Sequence, residues 1–117
     1  MESIVKDKSK RFAIRIVKLY QYLNEEKREF ALSKQLLRSG TSVGANVREA
    51  LQGQSKVDFT AKMSISLKEI SEAEYWLELL YETGYLDDVQ YASVATDCKE
   101  LAKMLTSIVK TSRGNRN

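Results

Sequence analysis

The amino-acid sequence predicts an all-α domain, folded as an antiparallel up-down-up-down four-helix bundle. Three observations predict it. The 117 residues contain no proline, so nothing forbids long uninterrupted helices. Alanine, leucine, lysine and glutamate are frequent, and all favour helix. Apolar residues recur at spacings of three and four through four segments parted by short polar turns. Short connections make antiparallel neighbours the simplest arrangement.

The first helix is expected over about 4–23. Phe12, Ile16, Leu19 and Leu23 lie on one stripe. Ala13, Val17 and Tyr20 form a second line beside it, with Ile14 and Tyr22 adding more. So wide an apolar surface implies either deep burial or contact with another subunit. The polar run Asn24 to Glu29 reads as a turn.

The second helix is expected over about 30–52, ending at Gly53. It holds the segment on which the packing argument rests, Arg38 to Leu51. Gly40 and Gly44 are four apart and share a face, which Ser33, Leu37, Val47 and Leu51 extend. Each glycine costs a helix about 1 kcal/mol relative to alanine. Two on one stripe therefore predict a neighbouring backbone at very close range. The competing reading makes Ser39 to Ser42 a loop, with Ser42 capping a shorter helix. The apolar spacing keeps its phase across the glycines, which favours the continuous helix. Asn46, Arg48 and Glu49 follow directly, and Asn46 falls near an apolar stripe. An amide there is expected to be hydrogen-bonded, setting register as part of a polar layer rather than acting in catalysis.

Ser55 is expected to cap a third helix over about 56–83, with Asp58 at its positive end. Phe59, Met63, Ser66, Leu67, Ile70, Ala73, Leu77, Leu80 and Tyr81 keep helical spacing, and Gly84 ends the run. Asp87 and Gln90 form a capping-box-like pair before a fourth helix over about 88–112. Val94, Cys98, Leu101, Leu105 and Ile108 alternate four and three there, a heptad seam. Residues 113–117 read as a short flexible tail. One domain accounts for the whole length.

Composition narrows the chemistry. Histidine is absent, which removes the commonest general base and transition-metal ligand. Cys98 is the sole cysteine; with no histidine to activate it, it reads as a small core residue. Neither a Walker loop nor a dinucleotide fingerprint occurs, since Gly40 to Gly44 lacks the lysine and preceding strand either needs. No metal, no cofactor and no enzymatic activity are expected. Lys6, Lys8, Lys10 and Arg11 interrupt the place where a secretion signal would develop. No apolar run reaches membrane-spanning length. A cytoplasmic protein is expected.

Charge is unevenly spread. The net charge is only +3, yet the bundle topology would gather Lys6, Lys8, Lys10, Arg11, Lys56, Lys62, Lys110, Arg113 and Arg116 at one end. Glu78, Glu82, Asp87 and Asp88 would mark the other. Between Glu69 and Asp88 there is no lysine or arginine. A basic end suits phosphate backbones, while two merely solvated ends are the plainer alternative. Lys6, Lys8, Lys10, Arg11, Lys110 and Arg113 are the candidate nucleic-acid contacts. Glu69 and Glu72 share a face, and Glu74 is expected to join the polar layer through an arginine such as Arg48 or Arg38. Tyr75 and Trp76 fall off the main seam, as aromatics at protein interfaces do, and point to self-association.

These residues carry a resemblance. Ser39 to Ala50, Asp58-Phe59, Leu67-Lys68-Glu69 and Glu74 to Leu77 resemble the four-helix-bundle proteins of the 23S rRNA intervening-sequence family, over about Phe12 to Leu105. Ala50 stands where many relatives have glycine. The resemblance implies a bacterial cytoplasmic protein, a left-handed bundle and a homopentameric barrel-like ring. The accessory protein of diversity-generating retroelements shares the fold and binds a reverse transcriptase and nucleic acid through a basic surface. The family name records gene location and does not establish ribosome binding. Two functions stay in competition: a nucleic-acid-binding oligomer, with structured RNA or an RNA/DNA complex as partner, and a protein adaptor or scaffold, such as an accessory subunit docking a nucleic-acid enzyme.

Overall fold

The computed structural model describes residues 2–114. It contains four helices: α1 (Glu2–Glu25), α2 (Leu32–Leu51), α3 (Lys56–Glu82) and α4 (Asp88–Gly114). The body measures 49 × 20 × 20 Å, the dimensions of a rod little longer than one 27-residue helix and two helices thick.

Cross-helix contacts fix the directions. Gly44 meets Ser9, Gly40 meets Ile16 and Asn24 reaches Ser33, so α1 and α2 run oppositely. Ser66 donates to the Val43 carbonyl and Lys62 pairs with Glu49, which sets α3 against α2. Thr60 bonds Ser112 and Tyr81 stacks on Tyr91, setting α4 against α3. Lys8–Glu100 and Arg15–Asp97 close the square between α1 and α4. That last seam is the least intimate of the four.

The periodicities expected from the sequence form the core. Phe12, Ile16 and Leu23 of α1 are buried, as are Met63, Ile70, Ala73, Leu77 and Leu80 of α3. The α4 seam Val94, Cys98, Leu101, Leu105 and Ile108 is buried throughout. The second apolar line of α1 is only partly covered: Ala13 and Tyr20 are half-buried and Val17 is 37% exposed, while Ile14 beside it is 47% exposed. Burial pushes the Cys98 thiol up to about 12, and its Sγ lies 3.7 Å from the Ile70 carbonyl oxygen. A thiol held protonated in the core is a packing group, not a nucleophile.

Ser39 to Ser42 are helical, so the loop alternative falls away. Their hydroxyls donate back into the same helix: Ser39 to Gln35 O (3.1 Å), Thr41 to Leu37 O (2.7 Å) and Ser42 to Arg38 O (2.6 Å). Both glycines face α1. A Cβ on Gly40 would stand 2.9 Å from both γ-carbons of Ile16, and one on Gly44 would stand 3.3 Å from the Ser9 carbonyl oxygen.

Several boundaries differ from expectation. α1 runs about one residue pair longer at each end, to Glu2 and Glu25. α2 begins at Leu32, not Phe30, because Glu29 caps it from outside. The Glu29 carboxylate accepts from the backbone N–H of Ala31, Leu32 and Ser33 at 3.1, 2.9 and 2.7 Å. Phe30 is left half-exposed, with the Arg28 guanidinium 5.3 Å above its ring. Gly53 ends α2 without left-handed backbone, whereas Gly84 adopts φ 88° after α3. There Tyr85 N–H bonds Leu80 O and Gly84 N–H bonds Tyr81 O, a Schellman closure. α4 continues through Arg113 to Gly114, so the expected tail is helical in its first part. Residues 115–117, including Arg116, lie outside the described residues.

Candidate nucleic-acid interface

Antiparallel packing puts the start of α1, the turn between α2 and α3, and the end of α4 at one pole. That pole carries the candidate cations. The structure divides them among three faces instead of assembling one patch.

Lys8 and Arg11 face α4. They line a cleft with Phe12, Leu101, Asp97 and Glu100, and Lys8 Nζ sits 2.7 Å from Glu100 Oε1. Carboxylates therefore partly neutralise this face. Lys110 is exposed on α4, and Arg113 reaches across to donate to Ser64 Oγ on α3 at 3.3 Å.

Lys6 and Lys10 face α2 and meet a residue that the sequence reading assigned elsewhere. Together with Arg48 they line a groove of about 310 Å³ whose floor is Ser9, Ala13, Thr41, Gly44 and Ala45. Among the described residues no carboxylate lines it. Arg48 follows Gly44 by one turn, which places it beside the tight α1–α2 approach; that spacing was the available signal.

The polar layer expected from Asn46, Arg48, Glu49, Glu69 and Glu74 does not form. Asn46 donates to Ser42 O at 2.9 Å within its own helix. Arg48 and Glu49 are exposed, and Glu49 pairs with Lys62 at 2.9 Å. Glu74 lies toward α4, where its charge bears on Tyr91 and Cys98. The network that does form is Arg38 with Glu69 (3.1 Å) and Glu72, extended by Trp76 Nε1 donating to Glu72 at 3.0 Å. The Trp76 indole, and then Arg38, hold the Glu72 carboxyl below the usual glutamate range. Helix rotation explains the correction. Glu69 and Glu72 point to the α2 side of α3, and Glu74 is turned toward α4. Glu49 thus turns toward Lys62 of α3, while Glu74 turns toward α4.

At the opposite pole Tyr81 and Tyr91 stack with centroids 4.3 Å apart, and Tyr81 donates to Asp88 at 2.7 Å. Burial first, then Glu78, Glu74 and Glu82, raise the Tyr91 pKa. The two poles are therefore electrostatically unlike. Outward on α3, Ile65 is 40% and Tyr75 53% exposed, and Tyr75 meets the Trp76 ring edge-on at 5.0 Å. No described helix is long and apolar enough to cross a membrane.

A family model described as 23S rRNA-intervening sequence protein matches residues 1–107. A crystal structure from Bacteroides thetaiotaomicron VPI-5482, a protein with unknown function from the S23 ribosomal protein family, is similar at 56% identity. The match covers 93% of this chain and 97% of that one, with a TM-score of 0.91. No curated protein matches the chain.

Proposed function

The chain belongs to the 23S rRNA-intervening sequence protein family, and from that membership we propose a non-enzymatic, self-associating cytoplasmic protein that binds nucleic acid, structured RNA or an RNA/DNA complex, through its basic pole. The observation that carries this reading is the gathering of Lys6, Lys10, Arg11, Arg48, Lys110 and Arg113 around one end of a rod whose other end holds Glu78, Glu82, Asp87 and Asp88. Such a field attracts a polyanion to one pole and repels it from the other. Phosphate contacts would dominate, with no dependence on base stacking, since the exposed aromatics Tyr75 and Phe30 are not interleaved with these cations.

Charge reversal at three cations, Lys6→Glu, Lys10→Glu and Lys110→Glu, is expected to abolish binding of a labelled RNA hairpin in a gel-shift titration. All three side chains are exposed, so the fold should be retained. Undiminished binding by the triple variant removes the hypothesis.

Self-association is supported by apolar surface that the bundle leaves uncovered: Ile65 and Tyr75 on α3, and Ile14 and Val17 on α1. We take five as the copy number, which the family resemblance implies. Size-exclusion chromatography with light scattering should give an assembly at micromolar concentration, and a clean monomer would contradict it. The same surface also suits a protein adaptor. A protein partner whose capture survives nuclease treatment, from a chain that fails to bind nucleic acid, would establish the adaptor reading instead.

A further inference from the structure

We propose that the α1–α2 groove lined by Lys6, Lys10 and Arg48 is the seat of a nucleic-acid phosphodiester backbone, with Arg48 its third cationic contact. This inference rests on the nucleic-acid reading above and specifies its site. The groove exists because Gly44 has no side chain. The α2 backbone there approaches so closely that a Cβ would lie 3.3 Å from the Ser9 carbonyl oxygen. Two helices this close leave a shallow furrow outside their line of contact, walled by small residues such as Ala45.

Lys6 and Lys10 stand one turn apart on one wall, and Arg48 rises from the other. Like charges converging over a small floor repel one another, and an anion placed among them removes that cost. The α4-facing side differs: Lys8 already has Glu100, and Asp97 lines the same cleft. The furrow follows the helix axes and opens to solvent, so it accepts a linear polyanion whose next phosphates can lie along the same pole. Arg48 adds planar, forked donors suited to phosphate oxygens.

The test is fluorescence anisotropy with a fluorescein-labelled RNA hairpin, titrated across a salt series. Two variants decide it. Arg48→Ala removes a cation, and Ala45→Glu places a carboxylate in the furrow. Both residues are exposed, and circular dichroism checks that helicity is kept. Arg48→Ala should lower the slope of log affinity against log salt by about 1. Ala45→Glu should weaken binding about tenfold or more, through repulsion of the phosphates. Wild-type affinity in Ala45→Glu, or an unchanged slope in Arg48→Ala, overturns the groove assignment and leaves binding elsewhere on the pole intact. Absence of salt-dependent binding by the wild-type chain removes the nucleic-acid reading and the groove with it.

Discussion

Gly40→Ala is expected to destabilise the bundle, although alanine is the better helix former. Inside a helix the exchange favours the folded state by about 1 kcal/mol. The added methyl, however, would stand 2.9 Å from Ile16 Cγ1 and Cγ2. Ile16 is fully buried and β-branched, so no single χ1 rotation clears both carbons. Overpacking of this kind costs about 1–3 kcal/mol, or more where a backbone must move. A net loss of up to about 2 kcal/mol follows, read as a lower urea midpoint at unchanged slope. Ile16→Ala alone should cost about 2–5 kcal/mol through the cavity it leaves. In the double variant the Gly40→Ala methyl enters that cavity, so the two losses should fall short of their sum by about 0.5–3 kcal/mol. A rise in stability for Gly40→Ala, as helix propensity alone requires, would show that α1 and α2 do not nest as described.

Glu29→Ala should cost about 2–3 kcal/mol, a large effect for a residue in a turn. Glu29 as a residue is 7% exposed, and its carboxylate satisfies three backbone N–H groups at the start of α2. Removing it leaves orphan donors at the positive end of a helix dipole. Charge-assisted bonds of this kind contribute about 1.5–3 kcal/mol, and cap substitutions alone about 0.5–2. Ser33 depends on the same turn, since its hydroxyl donates to Glu29 O at 2.9 Å. Glu29→Gln keeps one acceptor oxygen and loses the charge, so roughly half the penalty should remain. Urea unfolding measures the loss, and faster amide exchange at Leu32 and Ser33 locates it. A Glu29→Ala change below about 0.5 kcal/mol, the usual range for an unremarkable surface site, would mean that the cap does not hold α2.

The devices that were legible before folding are local ones. Ser55 accepts from Asp58 N–H at 3.1 Å as its position suggested. Asp87 and Gln90 exchange reciprocal bonds at 3.0 and 2.7 Å. Gly84 takes the left-handed backbone that a Schellman closure needs. Each involves groups within five residues, so chain connectivity alone brings them together. Glu29 was within the same reach, four residues before Ser33. It passed as part of a polar turn because Glu is not among the usual capping residues, and only its burial distinguishes it.

Partner choice across helices was the illegible part. Arg38 and Arg48 were equivalent on paper as partners for a carboxylate of α3. In the fold Arg38 reaches Glu69 and Glu72, and Arg48 joins Lys6 and Lys10 beside a different neighbour. Periodicity tells which stripe of a helix turns inward. It does not give the axial offset between two helices or the small rotation that assigns a flanking residue to one seam or the next.

The residues in order thus determined four proline-free helices, the caps of α3 and α4, the buried stripe of each helix and the glycine face on α2, because all of these depend on neighbours along the chain. The tertiary structure decided which charges meet: that Lys8 pairs with Glu100 of α4 and that Arg48 faces α1. A side chain's charge partner is set by the angle and register at which rigid helices dock, and that geometry arises from the packing of the whole core.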